Sequence, residues 1–347
     1  MQSNEKGFIL VTILLVIAVL FPLILAFNSK VQLNLIQADN FKNSVQALRL
    51  ARSGVEAAMG LLKASDPIYD SKNSKWAQPL PGLAVGDGIL AVQIADEDGK
   101  IPINNLVGFV QESSVAASPG AATGGGQAAG LTTGQTTATT QLAPNQVDQE
   151  LNTRLRSLIT RLGGKPEVVD ALIDWLDSDD TVTGEEGAEE DYYKARGYHC
   201  KNGPLDSLDE LLLVRGFDNE LLNERHLRDY LTIAPTDGKI NANTAPVQVL
   251  YAVLGTKTAS VAVPLNDSDV QDLTRFRDTH DLKAVNDVAL AVKISQAQLG
   301  TITPLVKVNS AYFTVNSRYT IGRVTKNVEA LLKRARTTVT TISWREF

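Results

Sequence analysis

The chain has 347 residues, enough for two or three domains that each bury a core. At 44% hydrophobic, 21% charged and a formal net charge of -6, it shows no basic footprint for nucleic acid, and acidic sites are the expected ionic feature. Cys200 is the one cysteine, which excludes a disulfide within the chain and leaves the redox compartment open.

Residues 8–27, "FILVTILLVIAVLFPLILAF", carry no charge, and only Thr12 and Pro22 are not plainly apolar. Twenty helical residues extend about 30 Å, the hydrocarbon thickness of a bilayer, so a membrane span is expected. A secretory signal has a shorter apolar core and an A-x-A cleavage pattern after it. Here the helical pattern runs on into polar sequence, so the span is expected to be retained, with Lys6 favouring a cytoplasmic N-terminal side.

Phe41, Val45, Leu48, Val55, Met59 and Leu62 then recur at spacings of three, four or seven between polar residues. This predicts an amphipathic helix whose narrow seam packs on the protein's own sheet or in a bundle of sister subunits. With the span it makes one helix from about Phe8 to about Lys63, about 84 Å long, ending at Ser65, Asp66 and Pro67. Ile89 to Ile94 alternates as a strand, a turn follows at Asp96 to Gly99, and "KIPIN" resumes extended structure. "DGKIPIN" at Asp98 to Asn104 is echoed by "DGKINAN" at Asp237 to Asn243, as two turns in related settings on either side of an insertion would be. Residues 113–147 contain no charge and are rich in Gly, Ala, Thr, Ser and Gln, which predicts a surface loop.

Helices return from Asp148 to about Trp175, and "SLDELLLVRGF" and "NTAPVQVLYAVL" begin with expected caps at Ser207 and at Asn243 or Thr244. The tail alternates again in "AYFTVNSRYTIGRV" and "RTTVTTISW", rich in Thr, Val and Tyr as paired strands are. A sheet-forming start and end thus enclose a mostly helical middle.

The densest ionic feature runs from Asp170 to Tyr193, with ten carboxylates and no Lys or Arg. Asp170, Asp174 and Asp177 fall along one helix face, and Asp177, Asp179 and Asp180 leave its C-terminal end, where the dipole disfavours negative charge. A hard cation with oxygen ligands would offset this repulsion, and calcium tolerates irregular loops; the alternative is a solvated acidic loop. The twelve-residue EF-hand spacing is missing. Catalysis finds little support: the histidines are dispersed, and H-E-x-x-H, G-x-S-x-G and Walker patterns are missing. "DGKINANTAPVQVL" and "LDELLLVRGF" resemble helix-hairpin-helix DNA-binding sequences, but without the hairpin G-x-G and without basic excess.

In this order, Lys6-Gly7, the apolar helix from Phe8, "LIDWLDSDD", "GAEEDYY", "LDELLLVRG", "KINANTAPVQVL" and "SAYFTVNSRYTIG" resemble the K-type minor pseudopilins of bacterial type II secretion. The resemblance implies an α+β fold: a pilin-like long N-terminal helix packed on an antiparallel sheet, with a large α-helical insertion domain. Together with the composition, it divides the chain into a leader (1–7), a transmembrane helix (8–27), the first part of a pilin-like domain (28–105), a low-complexity loop (106–147) that has no match in the family pattern, the insertion (148–305) and the C-terminal strands (306–347). It implies that a prepilin peptidase cuts between Gly7 and Phe8 and methylates the new N-terminus. It implies calcium held by Asp177, Asp179, Glu189 and Glu190, with Asp191 as a weaker addition. The implied role is structural and not enzymatic: a minor pseudopilin at the tip of the periplasmic pseudopilus, anchored in the inner membrane with its C-terminal domain in the periplasm. Its implied partners are minor pseudopilins of the I, J and H types, the major pseudopilin, and the secretin or an exoprotein. A membrane-anchored DNA-binding protein and a type IV pilus minor pilin are the alternatives. The fifth residue after the implied cut, a glutamate in most pilin-like subunits, is Thr12, whose hydroxyl can be satisfied on its own helix.

Overall fold

The structure, a computed structural model, describes residues 4–65, 68–78, 80–109, 142–336 and 338–347. Residues 1–3 of the expected leader, Asp66 and Pro67 at the expected helix end, and residues 110–141 of the expected loop lie outside the described residues. Helix α1 (Asn4–Ala64) is continuous through the apolar run and Pro22. It contains a stretch from Phe8 long and apolar enough to cross a membrane.

The buried stripe of α1 is Ala47, Ala51, Val55, Ala58 and Leu62, spaced four, four, three and four. The expected seam is therefore rotated: Leu48 and Met59 lie at its margin, while Phe41, 72% exposed, stands clear of the sheet. Small side chains win these positions because the helix lies close to the strands. A β-carbon on Gly54 would come 3.0 Å from Val92 and 3.1 Å from Leu90.

Those strands are β1 (Leu80–Val85) and β2 (Gly88–Asp96), followed by the two-residue β3 (Ile101–Pro102). The middle of the chain contributes α2 (Gln149–Arg161), α3 (Val168–Leu176), α4 (Glu190–Lys194), β4 (Leu231–Thr232), β5 (Ile240–Asn241), α5 (Val247–Leu254), α6 (Asp267–Thr279), α7 (Asp287–Val292), α8 (Gln296–Ile302) and β6 (Val306–Lys307). It closes with β7 (Tyr312–Ile321), β8 (Val324–Ala335) and β9 (Thr338–Glu346). The main sheet has the order β1-β2-β7-β8-β9, with every pairing antiparallel. Everything between β2 and β7 is thus inserted between two neighbouring strands, which pair up to Asp96 opposite Phe313.

Strand β8 reads "VTKNVEALLKRA", whose second half, "EALLKRA", is a run of good helix formers. It is a strand because Val328, Ala330, Leu332 and Arg334 alternate onto the buried face and both of its edges are hydrogen-bonded. Against α1, Val328, Ala330 and Leu332 join Leu90, Val92, Phe313, Val315, Tyr319 and Ile321 in one core. A second, larger core fills the insertion, from Ile101 and Leu106 through Leu155, Leu172 and Leu250 to Val306.

A buried polar junction ties the two cores together. Asp70 accepts from Trp76 Nε1 at 2.9 Å and from Ser310 N at 2.8 Å, and pairs with Arg334 of β8. Asp96 accepts from Asn241 Nδ2 (3.0 Å), Thr244 Oγ1 (2.5 Å), Ser310 Oγ (2.6 Å) and Asp98 N (2.8 Å). Burial and then the neighbouring Asp98 push the Asp96 carboxyl up, while the Ser310 and Thr244 hydroxyls oppose that shift. The echoed turns meet here, since Lys307 Nζ donates to Asp98 of the first and Asp237 of the second, each at 2.8 Å.

Of the expected caps, Ser207 forms a capping box with Glu210, although on a 3-10 turn over Leu208–Leu213. Asn243 and Thr244 do not cap α5, which follows Pro246 without a side-chain cap. Asn243 Nδ2 instead donates to Leu282 O at 2.9 Å, and Thr244 is committed to Asp96.

Candidate metal centre

Helix α3 is buried along its whole length, so its acids must find partners. Asp170 pairs with Arg156 of α2. One turn on, Asp174 accepts the Thr183 N–H at 3.0 and 3.2 Å from its two oxygens. The helix ends at Asp177, whose N–H still donates to Ile173 O and whose backbone is extended (ψ 173°). The chain then loops out and returns across Asp174. The return needs Gly187, because a β-carbon there would stand 2.2 Å from Thr183 O and 2.5 Å from Asp174 Oδ2. Arg215 fastens it from outside, donating to Gly187 O at 2.9 Å and pairing with Glu186 at 2.8 Å.

This folding brings Asp177, Asp179 and Glu189 together, with ligand oxygens all within 4.8 Å of one another. Asp177 and Glu189 are only 5% and 7% exposed. Among the described residues, Asp177 Oδ1 and both Glu189 carboxylate oxygens have no hydrogen-bond partner. Burial, then Asp179 and Asp174, push the Asp177 carboxyl up to about 7. Burial, then Asp174, Asp177, Asp179 and Asp180, push Glu189 up to about 8. Unpaired buried carboxylates are strongly unfavourable, and a bound cation reverses the sign of that electrostatic environment. Three converging carboxylates, two of them buried with orphaned oxygens, fit a hard cation, so the triad could hold a metal ion.

Two of the sequence-predicted ligands point elsewhere. Glu190 lies 2.6 Å from His199 Nδ1 through one oxygen and accepts the Cys200 N–H at 2.8 Å through the other. Those hydrogen bonds, His199 first, hold its carboxyl down to about 2. Asp191, the next residue of α4, is exposed and outside the converging group. Glu189 is the extended residue that precedes α4 while Glu190 and Asp191 open its first turn, so the three consecutive acids leave the backbone in different directions. The Cys200 thiol donates to Asp174 O at 3.4 Å and is pushed up to about 12 by burial, which makes it a poor nucleophile.

Sequence reasoning missed Asn145. Its Oδ1 accepts from Ser178 N (3.1 Å) and Ser178 Oγ (2.9 Å), and its Nδ2 lies 3.4 Å from Asp179 Oδ2. Its signal is faint: an Asn after Pro144 is a turn former, here at φ 61°, in a stretch otherwise read as loop. At the N-terminus, Gly7 and Phe8 both lie within α1, and Thr12 Oγ1 donates to Phe8 O at 2.9 Å, so its hydroxyl is satisfied on its own helix. "DGKINAN" supplies no open phosphate cradle, because its amides are already used: Asn241 N donates to Asp98 O, Ala242 N to Lys307 O and Asn243 N to Asn241 Oδ1.

The family described as "Type II secretion system (T2SS), protein K" matches residues 99–236, which include the acidic loop. The type II secretion system protein K of Pseudomonas aeruginosa is 25% identical over 354 residues, covering 97% of this chain and 91% of that protein. The namesake protein of Aeromonas hydrophila is 23% identical, covering 96% of this chain and 94% of its own length. Among solved structures, the GspK-GspI-GspJ complex from the enterotoxigenic Escherichia coli type 2 secretion system contains a chain with a TM-score of 0.61 at 19% identity. That match covers 90% of this chain and 99% of the other, and the likeness is one of fold. The matched domain and the near full-length relatives make the chain similar to the type II secretion system protein K, and the solved complex shares its fold.

Proposed function

We propose that the chain is the minor pseudopilin that stands at the tip of a periplasmic type II secretion pseudopilus, where it initiates or caps assembly. One observation carries the tip position. Gln46 of α1 lies near Gly86 in the β1–β2 turn, while Gly54, two turns further from the apolar run, lies beside Leu90 and Val92 of β2. Strand β2 therefore runs away from the apolar end of α1, and the insertion leaves and re-enters the sheet at its far end. A subunit stacked beyond that end would meet the insertion, whereas the exposed apolar face of α1 remains open to subunits below.

In this reading the apolar helix anchors the chain in the inner membrane and the body occupies the periplasm. A prepilin peptidase removes the residues up to Gly7, leaving Phe8 as the methylated N-terminus. Minor pseudopilins of the I and J types are the closest partners, with the H type and the major pseudopilin below them. The role is mechanical, not catalytic. Calcium is the favoured ion for Asp177, Asp179 and Glu189, because an irregular loop of carboxylates suits its flexible coordination. The residues themselves would position the loop, and the ion would supply the charge that lets three acids be buried together.

Labelling this chain on assembled pseudopili tests the proposal. A single label at one end, together with a stable complex when the purified chain is mixed with its I and J partners, is expected. Labels spaced along the shaft would overturn the tip assignment.

A further inference from the structure

Residues 107–108 and 145–147 pair into a closed neck that abuts the acidic triad. Val107 and Val147 form an antiparallel bridge. Gly108 N donates to Gln146 O and Asn145 N donates back to Gly108 O, both at 2.9 Å. The closure is tight enough that a β-carbon on Gly108 would stand 2.2 Å from Ala143 O. At the apex Asn145 adopts φ 61°, a conformation that Asn tolerates better than most residues.

The Asn145 side chain leaves this neck and reaches the loop between two of the candidate ligands. The Ser178 N–H can only donate, so the amide oxygen must face Ser178. That orientation turns the amide N–H toward Asp179 Oδ2, the favourable sign for holding a carboxylate. Thr181 N donates to the other Asp179 oxygen at 2.9 Å, so the two donors together fix the carboxylate plane. Asn145 carries no charge and adds nothing to the repulsion within the triad.

We propose that Asn145 is the positioning residue of the cation site, and that through it cation binding and closure of the neck stabilise each other. The inference rests on the reading of Asp177, Asp179 and Glu189 as a cation site. Coupling of this kind is reciprocal: whatever the ion contributes to the neck, the neck contributes to affinity for the ion. Residues that orient metal ligands from outside the first layer typically change affinity about 10- to 100-fold when removed.

The experiment uses the full chain in detergent, with calcium chloride as the probe and a chelator as the reference. Titration calorimetry should show calcium binding about 10- to 100-fold weaker in Asn145→Ala than in the wild type, with little change in melting temperature in chelator. In the wild type, hydrogen exchange at the Gly108 and Asn145 amides should slow when calcium is added, a measurement that holds even if the variant folds poorly. Equal calcium affinity in Asn145→Ala, or neck amides indifferent to calcium, would overturn the coupling while leaving the cation site intact. A wild-type chain that binds no calcium would remove the site and the coupling together.

Discussion

Gly54 on α1 and Ser317 on β7 meet so closely that a β-carbon on the glycine would stand 2.2 Å from the serine Oγ. Gly54→Ala would gain about 1 kcal/mol of helix propensity and incur roughly 1–3 kcal/mol of overpacking. A net loss of about 1 kcal/mol is expected by chemical denaturation. Adding Ser317→Ala should recover part of it, since it removes the nearest clashing atom. If Gly54→Ala alone is as stable as the wild type, the helix is free to lift and the close contact is not what sets its distance from the sheet.

The acidic triad makes stability depend on both ion and pH. With calcium at 100 times its dissociation constant, about 2.7 kcal/mol of stabilisation is expected, and Glu189→Gln should abolish most of the shift. Without the ion the sign reverses with pH. Asp177 and Glu189 have folded-state values of about 7 and about 8, above the ordinary carboxylate range, so the folded chain holds protons that the unfolded chain has released. Their contribution in chelator therefore declines as pH rises from about 4 to about 8, and levels off above that. Calcium affinity should move the other way, strengthening through the same range as the carboxylates ionise. Melting curves in calcium and in chelator at pH 5.5 and 8.5 check both; a chelator curve that rises with pH would show that the triad is not buried as described.

Lys307 bridges two aspartates of unequal burial, since the Asp98 side chain is fully buried whereas that of Asp237 is 47% exposed. Lys307→Met should therefore cost about 3–5 kcal/mol, because it strands a buried charge. Asp237→Asn should cost about 0–1 kcal/mol, as an exposed pair does. Similar losses in the two variants would mean that the clamp works as a symmetric unit.

Thr12 keeps charge out of the expected span by bonding to its own helix at Phe8 O. Thr12→Glu would place a carboxylate there, at about 3 kcal/mol unless a partner neutralises it. Slower pseudopilus initiation is expected, scored by counting filaments per cell, without the variant appearing along the shaft. Assembly along the shaft at the level of the major subunit would refute both the role of Thr12 and the steric argument from the insertion.

The long helix, strands β2, β7 and β9 and the helices that open the inserted middle are legible in the sequence because each has a hydrophobic period of its own. The register of α1 is not: Leu48 and Met59 are the larger apolar residues, but Ala47, Ala51 and Gly54 allow the closer approach, and closeness to a sheet leaves no mark on a hydropathy pattern. Strand β8 was hidden for the opposite reason, since "EALLKRA" prefers a helix until neighbours on both sides take its hydrogen bonds. The acidic run announces a concentration of charge, yet nothing in it tells Glu189, left with orphaned oxygens, from Glu190, occupied by His199 and Cys200. Asn145 shows the limit most plainly, because its role arises from the folding together of two loops distant in sequence.

The pairing of Asp96 opposite Phe313 gives the insertion the topology of an oversized hairpin loop. Closing a longer loop costs only logarithmically more entropy, so a sheet can host such a graft at little expense. If the chain stands in a pseudopilus as proposed, its long helix and the inserted module could diverge under separate selection, one constrained by the neighbours it stacks on and the other by whatever it meets. A short turn joining β2 directly to β7 would restore a plain antiparallel hairpin, which makes the outer module exchangeable in principle between filaments of different specificity.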